Sequence, residues 1–395
     1  MNLFTIRKLD ETLGDIICVV LGWLLIIKRA VFPPAALPPD QVKTILCQKY
    51  FGMGSILNTL PALSRLKDHY PNAKVILITL KENEAAAQLC TMFDEVLILD
   101  ITTLTGFLKS CTNIIYSLVR RKINISLDFE FYAMFTLIIS FFSFADIKVG
   151  LHLRNIRPEG ILTHKIHYNP YKHISEIYLN YCAALGIPIK KVDYKSLLPS
   201  FKNTALFSDK FNLPNTAKII TINVNCGDLF LHRRWPSQHF ITLIRLMIEN
   251  YPQMSYVVIG GKSEAGYVNG IVDTLGHHSS KIINCAGKTS IEELFALIEM
   301  SYLLITNDSG PLHIGSFYGI NVAAFFGPET PVVYGPVNNN ALVFQPENKY
   351  CSPCLNVYDS KKCLYREQCH ENTCLTEINP ETVYKAIESR FLLHL

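Results

Sequence analysis

The sequence predicts an α/β protein made of two doubly wound, Rossmann-like halves. Short apolar runs alternate with helical patterns, the alternation stops near residue 200 and then restarts, and 395 residues suit two domains of about 150–200 residues each. In the first half, Lys43–Gln48, Ala73–Thr79 and Glu95–Leu99 read as strands, with Ser55–His69 and Glu82–Cys90 as the helices between them. In the second half, Lys218–Val224, Tyr256–Gly260, Tyr302–Thr306 and Asn321–Phe326 read as strands. Ser237–Tyr251, ended by Pro252, and Ile291–Glu299 read as helices. β-then-α alternation of this kind makes a parallel sheet covered on both faces. The predicted boundaries are an N-terminal segment 1–39, a first domain 40–205 and a second domain 206–395.

Composition narrows the function classes. Hydrophobic residues make up 49% of the chain and charged residues only 18%, which excludes global disorder. A net charge of +4, from 37 basic against 33 acidic residues, is too mild for a nucleic-acid partner. The mean hydropathy of +0.20 is high for a freely soluble protein and points to membrane contact. Ile16–Ile27 (IICVVLGWLLII) supplies a candidate, an uncharged run between Arg7, Lys8 and Lys28, Arg29. Spanning a bilayer takes about 20 residues, so the run is short for a transmembrane helix. Asp10, Glu11 and Asp15 stand where a signal peptide carries basic residues. An interfacial helix over residues 13–32 fits better than a transmembrane, signal or ordinary buried helix, and Val31–Pro39 (VFPPAALPP) reads as a stiff linker. Ala133–Ala145 is a second apolar run, read as a buried helix or a second membrane-touching face.

Seven of the twelve cysteines (Cys18, Cys47, Cys90, Cys111, Cys182, Cys226 and Cys285) are scattered singly and read as small buried hydrophobes in a reducing compartment. Cys351, Cys354, Cys363, Cys369 and Cys374 crowd the tail, with His370 adjacent. Their spacing leaves zinc, disulfides and unpaired thiols open, although the second C-x2-C of a zinc ribbon is missing.

Three turns carry candidate chemistry. Tyr50–Ser55 joins a strand to a helix, and Gly52 and Gly54 let a phosphate or sugar approach backbone amides. The string Thr306–His313 (TNDSGPLH) stands where a strand ends and a helix begins, and places Asp308, Ser309, Gly310 and His313 at the carboxyl edge of a parallel sheet. The third is Arg233-Arg234-Trp235-Pro236, following a strand that carries Asn223 and Asn225, where paired guanidiniums suit phosphate oxygens.

Ala286–Pro336 closely resembles glycosyltransferase family 9, the ADP-heptose–lipopolysaccharide heptosyltransferases and their relatives. Phe51–Leu63, Arg234-Trp235-Pro236 and the cysteine-bearing tail match the family in the same order, so the resemblance covers roughly residues 43–390. The resemblance implies a GT-B fold, two Rossmann-like domains facing across a cleft, and inverting transfer without a metal or other cofactor, the nucleotide-sugar being a substrate. By match, the donor diphosphate meets Ser309, Gly310 and Arg233, with Arg234, Asn225, Asp308 and His313 nearby and Glu264 toward the nucleoside. Gly52 and Gly54 fall on the acceptor side.

The family carries Gly-Asp in the first turn, the aspartate serving as general base, and here that position is Ser55. A serine hydroxyl cannot take a proton near pH 7 without a partner, and Glu130 is the carboxylate expected to supply the base beside it. The implied activity moves heptose or a similar sugar to a lipid-linked glycan such as lipopolysaccharide core, at the cytoplasmic face of the bacterial inner membrane. A nucleotide-sugar epimerase needs no membrane anchor, and a catalytically degenerate binding relative is the rival that Ser55 motivates.

Overall fold

The structure is a computed structural model. It describes residues 10–31, 38–131, 133–153, 157–158, 160–201, 210–211, 213, 218–227, 231–347, 351–355 and 373–393. The chain divides into two compact units, Met1–Asp193 and Tyr194–Leu395.

The first unit holds β1 (Thr44–Gln48), β2 (Lys74–Leu80), β3 (Glu95–Leu99), β4 (Ile125–Asp128), β5 (Ile147–His152) and β6 (His164–His167). They form one parallel sheet in the order β3-β2-β1-β4-β5-β6. Parallel neighbours require crossover helices, which cover both faces, so central strands become apolar throughout: β2 reads KVILITL and buries every residue after Lys74. The second unit repeats the plan with β7 (Ile219–Asn223), β8 (Ser255–Ile259), β9 (Ile282–Asn284), β10 (Leu303–Asn307), β11 (Asn321–Phe325) and β12 (Ala341–Phe344), in the order β12-β11-β10-β7-β8-β9. Strand order reverses at β1/β4 in one sheet and at β7/β10 in the other. Beyond such switch points the crossovers diverge and leave a crevice at the carboxyl ends of the strands.

The expected α/β architecture is present, with local differences. The helix predicted over Ser55–His69 is two helices, Met53–Leu57 and Leu60–His69. Pro61 lies in the first turn of the second, where its missing N–H costs no hydrogen bond. β5, β6, β9 and β12 escape the sequence pattern because they are short or polar, as in His164–His167 (HKIH). Of the scattered cysteines, Cys111 is only partly buried while the other six are buried. In the tail, Cys351 and Cys354 are partly exposed and Cys374 is buried. Cys363, Cys369 and His370 lie outside the described residues, as does most of the proline-rich stretch.

The N-terminal helix, Asp15–Val31, is built into the first unit. Cys18, Gly22 and Leu25 form one stripe, and Cys18 and Leu25 pack with Met134, Leu137, Ile161 and Leu162. The backbones meet at two glycines: a Cβ on Gly160, whose φ is +101°, would stand 2.9 Å from the carbonyl carbon of Gly22. Arg29 donates from Nη1 and Nη2 to the carbonyls of Gly160 (2.9 Å) and Ile161 (2.8 Å). At the other end the Asp10 carboxylate accepts from the amides of Met134 (2.7 Å) and Phe135 (2.8 Å), ahead of the helix Phe135–Phe142. The outer face stays apolar and exposed, with Ile16 at 65%, Trp23 at 63% and Ile27 at 59%. Among the described residues no helix is long and apolar enough to cross a membrane.

This docking predicts a graded effect at two glycines. Gly160→Ala forces an L-residue to positive φ and pushes a methyl into Gly22, so it should cost more than the about 1–3 kcal/mol of backbone strain alone. Gly186→Ala, at φ +74° with nothing within 4 Å, should show the strain alone. Chemical denaturation of both variants checks this, and equal costs would show that the helix does not pack as described.

Candidate active site

At the first switch point, β4 ends in Asp128, whose Oδ2 lies 2.6 Å from Arg157 Nη2, both side chains fully buried. Thr136 Oγ1 also donates to that oxygen (2.6 Å), and the Glu130 amide donates to Oδ1 (3.1 Å). Arg157 Nη1 reaches the carbonyls of Glu130 (2.8 Å) and Leu151 (3.2 Å). These bonds fix the turn after β4 and turn the Glu130 side chain toward the turn after β1.

There, Glu130 Oε1 accepts from the amides of Tyr50 (2.7 Å) and Phe51 (3.3 Å). Its Oε2 pairs with the buried ammonium of Lys49 at 3.0 Å. Asn83 Nδ2 donates to the Tyr50 carbonyl (2.6 Å) from the opposite side. Gly52, at φ +81°, then opens the helix Met53–Leu57, and the Ser55 amide closes its first turn on the Gly52 carbonyl (3.0 Å). Ser55 is partly exposed and Gly54 is buried.

The expectation of Glu130 as general base is corrected by this geometry. The residue is 4% exposed, and both carboxylate oxygens are occupied by two backbone amides and an ammonium. A base must offer a lone pair to the substrate's proton, and here three of about four acceptor positions are engaged on a carboxylate withdrawn from the surface. Glu130 instead positions the turn that carries Gly52, Gly54 and Ser55. Lys49, its partner, is a residue that sequence reasoning passed over.

At the second switch point, β7 and β10 bring together neutral amides and one ion pair. Asn223 Nδ2 reaches Ser309 Oγ (2.8 Å) and Thr306 Oγ1 (3.0 Å). Asn307 ties the R-W-P element to this edge, accepting from the Trp235 amide (2.8 Å) and donating to the Asn225 carbonyl (3.1 Å). Arg233 Nη1 lies 3.3 Å from Asp308 Oδ2, and its Nη2 donates to the Cys226 carbonyl (3.1 Å). Burial pushes the Asp308 carboxyl up, against the pull of the guanidinium. Ser309 precedes the helix Gly310–Tyr318 without capping it by its side chain, and His313 is buried in that helix.

The other predicted residues separate. Arg234 does not share the Asp308 contact; its guanidinium stacks 4.0 Å over the Tyr267 ring. Glu264 Oε2 accepts from the Gly261 amide (2.8 Å) at the turn after β8. Asn225 Nδ2 donates to the Ile259 carbonyl (3.2 Å), while its Oδ1 and the Nε of Arg233 are buried with no hydrogen-bond partner. Buried polar atoms left in this state are expected where a ligand completes them. Glu329, in the turn after β11, was missed from sequence; its signal is the run Gly327-Pro328-Glu329-Thr330 directly after a strand. Among the described residues, no three His, Cys, Asp or Glu side chains converge as metal ligands.

Comparison with known proteins agrees with this arrangement. The model of glycosyltransferase family 9 (heptosyltransferase) matches residues 183–365. Lipooligosaccharide heptosyltransferase 2 of Campylobacter jejuni is 25% identical over 338 residues, covering 85% of this chain and 95% of that protein. A family 9 glycosyltransferase structure from Veillonella parvula superposes with a TM-score of 0.68 at 21% identity, covering 91% of this chain and 99% of that one. The E. coli ADP-heptose lipopolysaccharide heptosyltransferase II structure gives 0.69 at 16% identity, covering 89% and 99%. Two Rossmann-like units with polar switch points of this kind define the class: a glycosyltransferase of the GT-B fold. Within that class the chain is similar to glycosyltransferase family 9.

The positioning role of Glu130 predicts a stability effect. Glu130→Ala strands the buried Lys49 ammonium and two backbone amides, and should destabilise the protein by about 3–5 kcal/mol in urea unfolding. Glu130→Gln keeps an acceptor for the amides and should cost less. A near-neutral Glu130→Ala would show that the carboxylate does not hold the turn.

Proposed function

We propose that the protein transfers a heptosyl residue from a nucleoside-diphosphate donor to a lipid-linked acceptor of the lipopolysaccharide or lipooligosaccharide core. The relatives named above, which act as heptosyltransferases by name, support the sugar and acceptor class. The observation that carries the donor reading is the second switch point: Arg233 beside an uncapped helix start, with buried polar atoms of Asn225 and Arg233 lacking partners.

On this reading the donor's diphosphate lies at the start of the helix Gly310–Tyr318. Amide dipoles there and the Arg233 guanidinium meet the negative charge that grows as the anomeric C–O bond breaks. The acceptor hydroxyl attacks from the opposite face of the sugar, giving inversion; the C–O bond to the nucleoside diphosphate breaks, and the hydroxyl proton passes to solvent water. Ser55, at the family's aspartate position, hydrogen-bonds that hydroxyl, within a turn held by Glu130 and Lys49. The nucleotide-sugar is a substrate, and no step uses a metal or another cofactor.

Release of nucleoside diphosphate from ADP-heptose in the presence of a lipid-linked core acceptor tests the activity. No release from ADP-heptose or any other nucleotide-sugar would favour the degenerate binding relative. Arg233→Ala should weaken nucleoside-diphosphate binding by about 1.5–3 kcal/mol, the worth of a charge-assisted hydrogen bond. Calorimetric titration checks it, with circular dichroism to confirm folding because the variant also leaves Asp308 without its partner; unchanged affinity removes Arg233 from the donor site.

The same reading places the protein at the cytoplasmic face of the inner membrane, in peripheral contact through residues 13–32. The exposed apolar face of the helix Asp15–Val31, with Lys28 and Arg29 in its last turn, supports this. Each large side chain withdrawn from water contributes about 1.5–3 kcal/mol, so replacing both Trp23 and Ile27 with Glu should lower vesicle binding by at least about tenfold. Flotation with vesicles containing anionic phospholipid measures this; undiminished flotation would assign contact to another surface.

A further inference from the structure

A cavity opens where the N-terminal helix passes the amino end of β5, at the sheet edge opposite the first switch point. Its volume is about 130 Å³. It is lined by Leu24, Leu25 and Lys28 of the N-terminal helix, by Phe141 and Phe144 around the end of the helix Phe135–Phe142, and by Lys148 of β5. Leu25 and Lys148 are buried at its depth, while Leu24 (52% exposed) and Phe144 (54% exposed) stand at its mouth. An apolar protein cavity of about 150 Å³ admits benzene, so this one has room for a short run of acyl chain.

Positive charge surrounds the cavity without a partner. The Lys148 ammonium is 3% exposed and donates to the Ala145 carbonyl, which uses one of its three donors; among the described residues it has no other partner. Lys28 has no ion-pair partner among them. Arg29 adds a third cation, its guanidinium held by the backbone carbonyls of Gly160 and Ile161 and by no carboxylate. Burial first, and then Arg29 and Lys28, hold the Lys148 amine down to about 8, against the pull of the exposed Asp146. An anion arriving here would relieve that repulsion.

The backbone at the mouth is strained. Phe144 is the one non-glycine residue at positive φ among those described, at +52°, where a helix end ordinarily uses glycine. Its amide closes on the Phe141 carbonyl (3.1 Å), and the two rings stand 6.5 Å apart. An aromatic ring left half in water gains little packing in return for the strain, and strain kept at such a position points to a ligand that the ring meets.

We propose that this cavity binds an anionic phospholipid, a segment of one acyl chain entering between Leu24, Leu25, Phe141 and Phe144 while the phosphate meets the ammonium groups of Lys28 and Lys148. The inference rests on the reading that the N-terminal helix faces a membrane, and it assigns that contact a lipid class. The sheet edge it occupies separates the site from the turn that carries Gly52, Gly54 and Ser55.

The test is calorimetric titration of the full-length protein with dihexanoyl phosphatidylglycerol, presented as monomers below its critical micelle concentration, beside dihexanoyl phosphatidylcholine and inorganic phosphate. The phosphatidylglycerol should bind at least about tenfold more tightly than either control, since one lacks net charge and the other lacks the chain. This comparison needs no variant. Lys148→Met, an apolar side chain of similar length, should abolish the preference between the two lipids. Phe144→Gly, which releases the positive φ, should unfold in urea no earlier than the parent and yet bind the lipid about tenfold more weakly. Equal affinity for the two lipids, a preference that survives Lys148→Met, or phosphate bound as tightly as phosphatidylglycerol overturns the proposal. Because the lipid is monomeric, these outcomes stand apart from vesicle flotation. Lowered flotation of the Trp23 and Ile27 double variant with no lipid preference here overturns this proposal alone, whereas undiminished flotation removes the membrane reading and this proposal with it.

Discussion

No water reaches the carboxylate of Asp128, and the order of the first unit's active edge depends on what replaces that water. Arg157 meets it at 2.6 Å with both side chains fully buried, and Thr136 and the Glu130 amide take further acceptor positions. A buried ion pair is a weak source of net stability, because desolvating both charges offsets most of their attraction. Its effect is on geometry. Breaking any one contact leaves a charge uncompensated in a dry interior, so the alternatives are steeply penalised and one arrangement survives. Tyr181 and Tyr178 extend the same logic by donating to the carbonyls of Asp128 (2.6 Å) and Phe129 (3.1 Å). The chain between β4 and Glu130 is thereby locked, and Glu130 in turn locks the turn after β1.

The second sheet has the same strand order and a different chemistry at its switch point. Three asparagines, Asn223, Asn225 and Asn307, cross-link the ends of β7 and β10 to the R-W-P element, with Trp235 stacked 4.1 Å from Phe325 beneath them. Neutral amides can be buried at lower cost than charges, and they leave room for one charge pair whose partner is meant to arrive. Buried side-chain atoms without a hydrogen-bond partner occur at both switch points, Arg157 Nε in the first unit and Asn225 Oδ1 and Arg233 Nε in the second.

The N-terminal helix shows how one segment can serve both fold and surface. Its small-residue stripe allows backbone-to-backbone approach at Gly22 and Gly160, and Arg29 closes the contact through two carbonyls. The opposite face is large and apolar, with Ile16, Trp23 and Ile27 turned outward. An exposed apolar face of this size marks a surface for interaction rather than for packing within the unit.

Much of this was legible in the sequence, because hydrophobic periodicity is a local signal. The two-domain α/β plan followed from apolar runs such as AKVILIT and YLLIT, though not every strand did, and the two switch-point turns followed from glycine and small polar residues at strand ends. The resemblance to family 9 rested on strings that keep their order along the chain. The partners of those residues were not legible. Arg233 and Arg234 are adjacent in sequence, yet one pairs with Asp308 and the other lies over Tyr267. Glu130, one carboxylate among many, was expected to take a proton, and it holds Lys49 and two amides instead. Lys49 and Arg157 carry no local pattern at all. What a charged side chain does is decided by the groups that share its dry surroundings, and those come from strands up to a hundred residues away, which only the tertiary fold brings together.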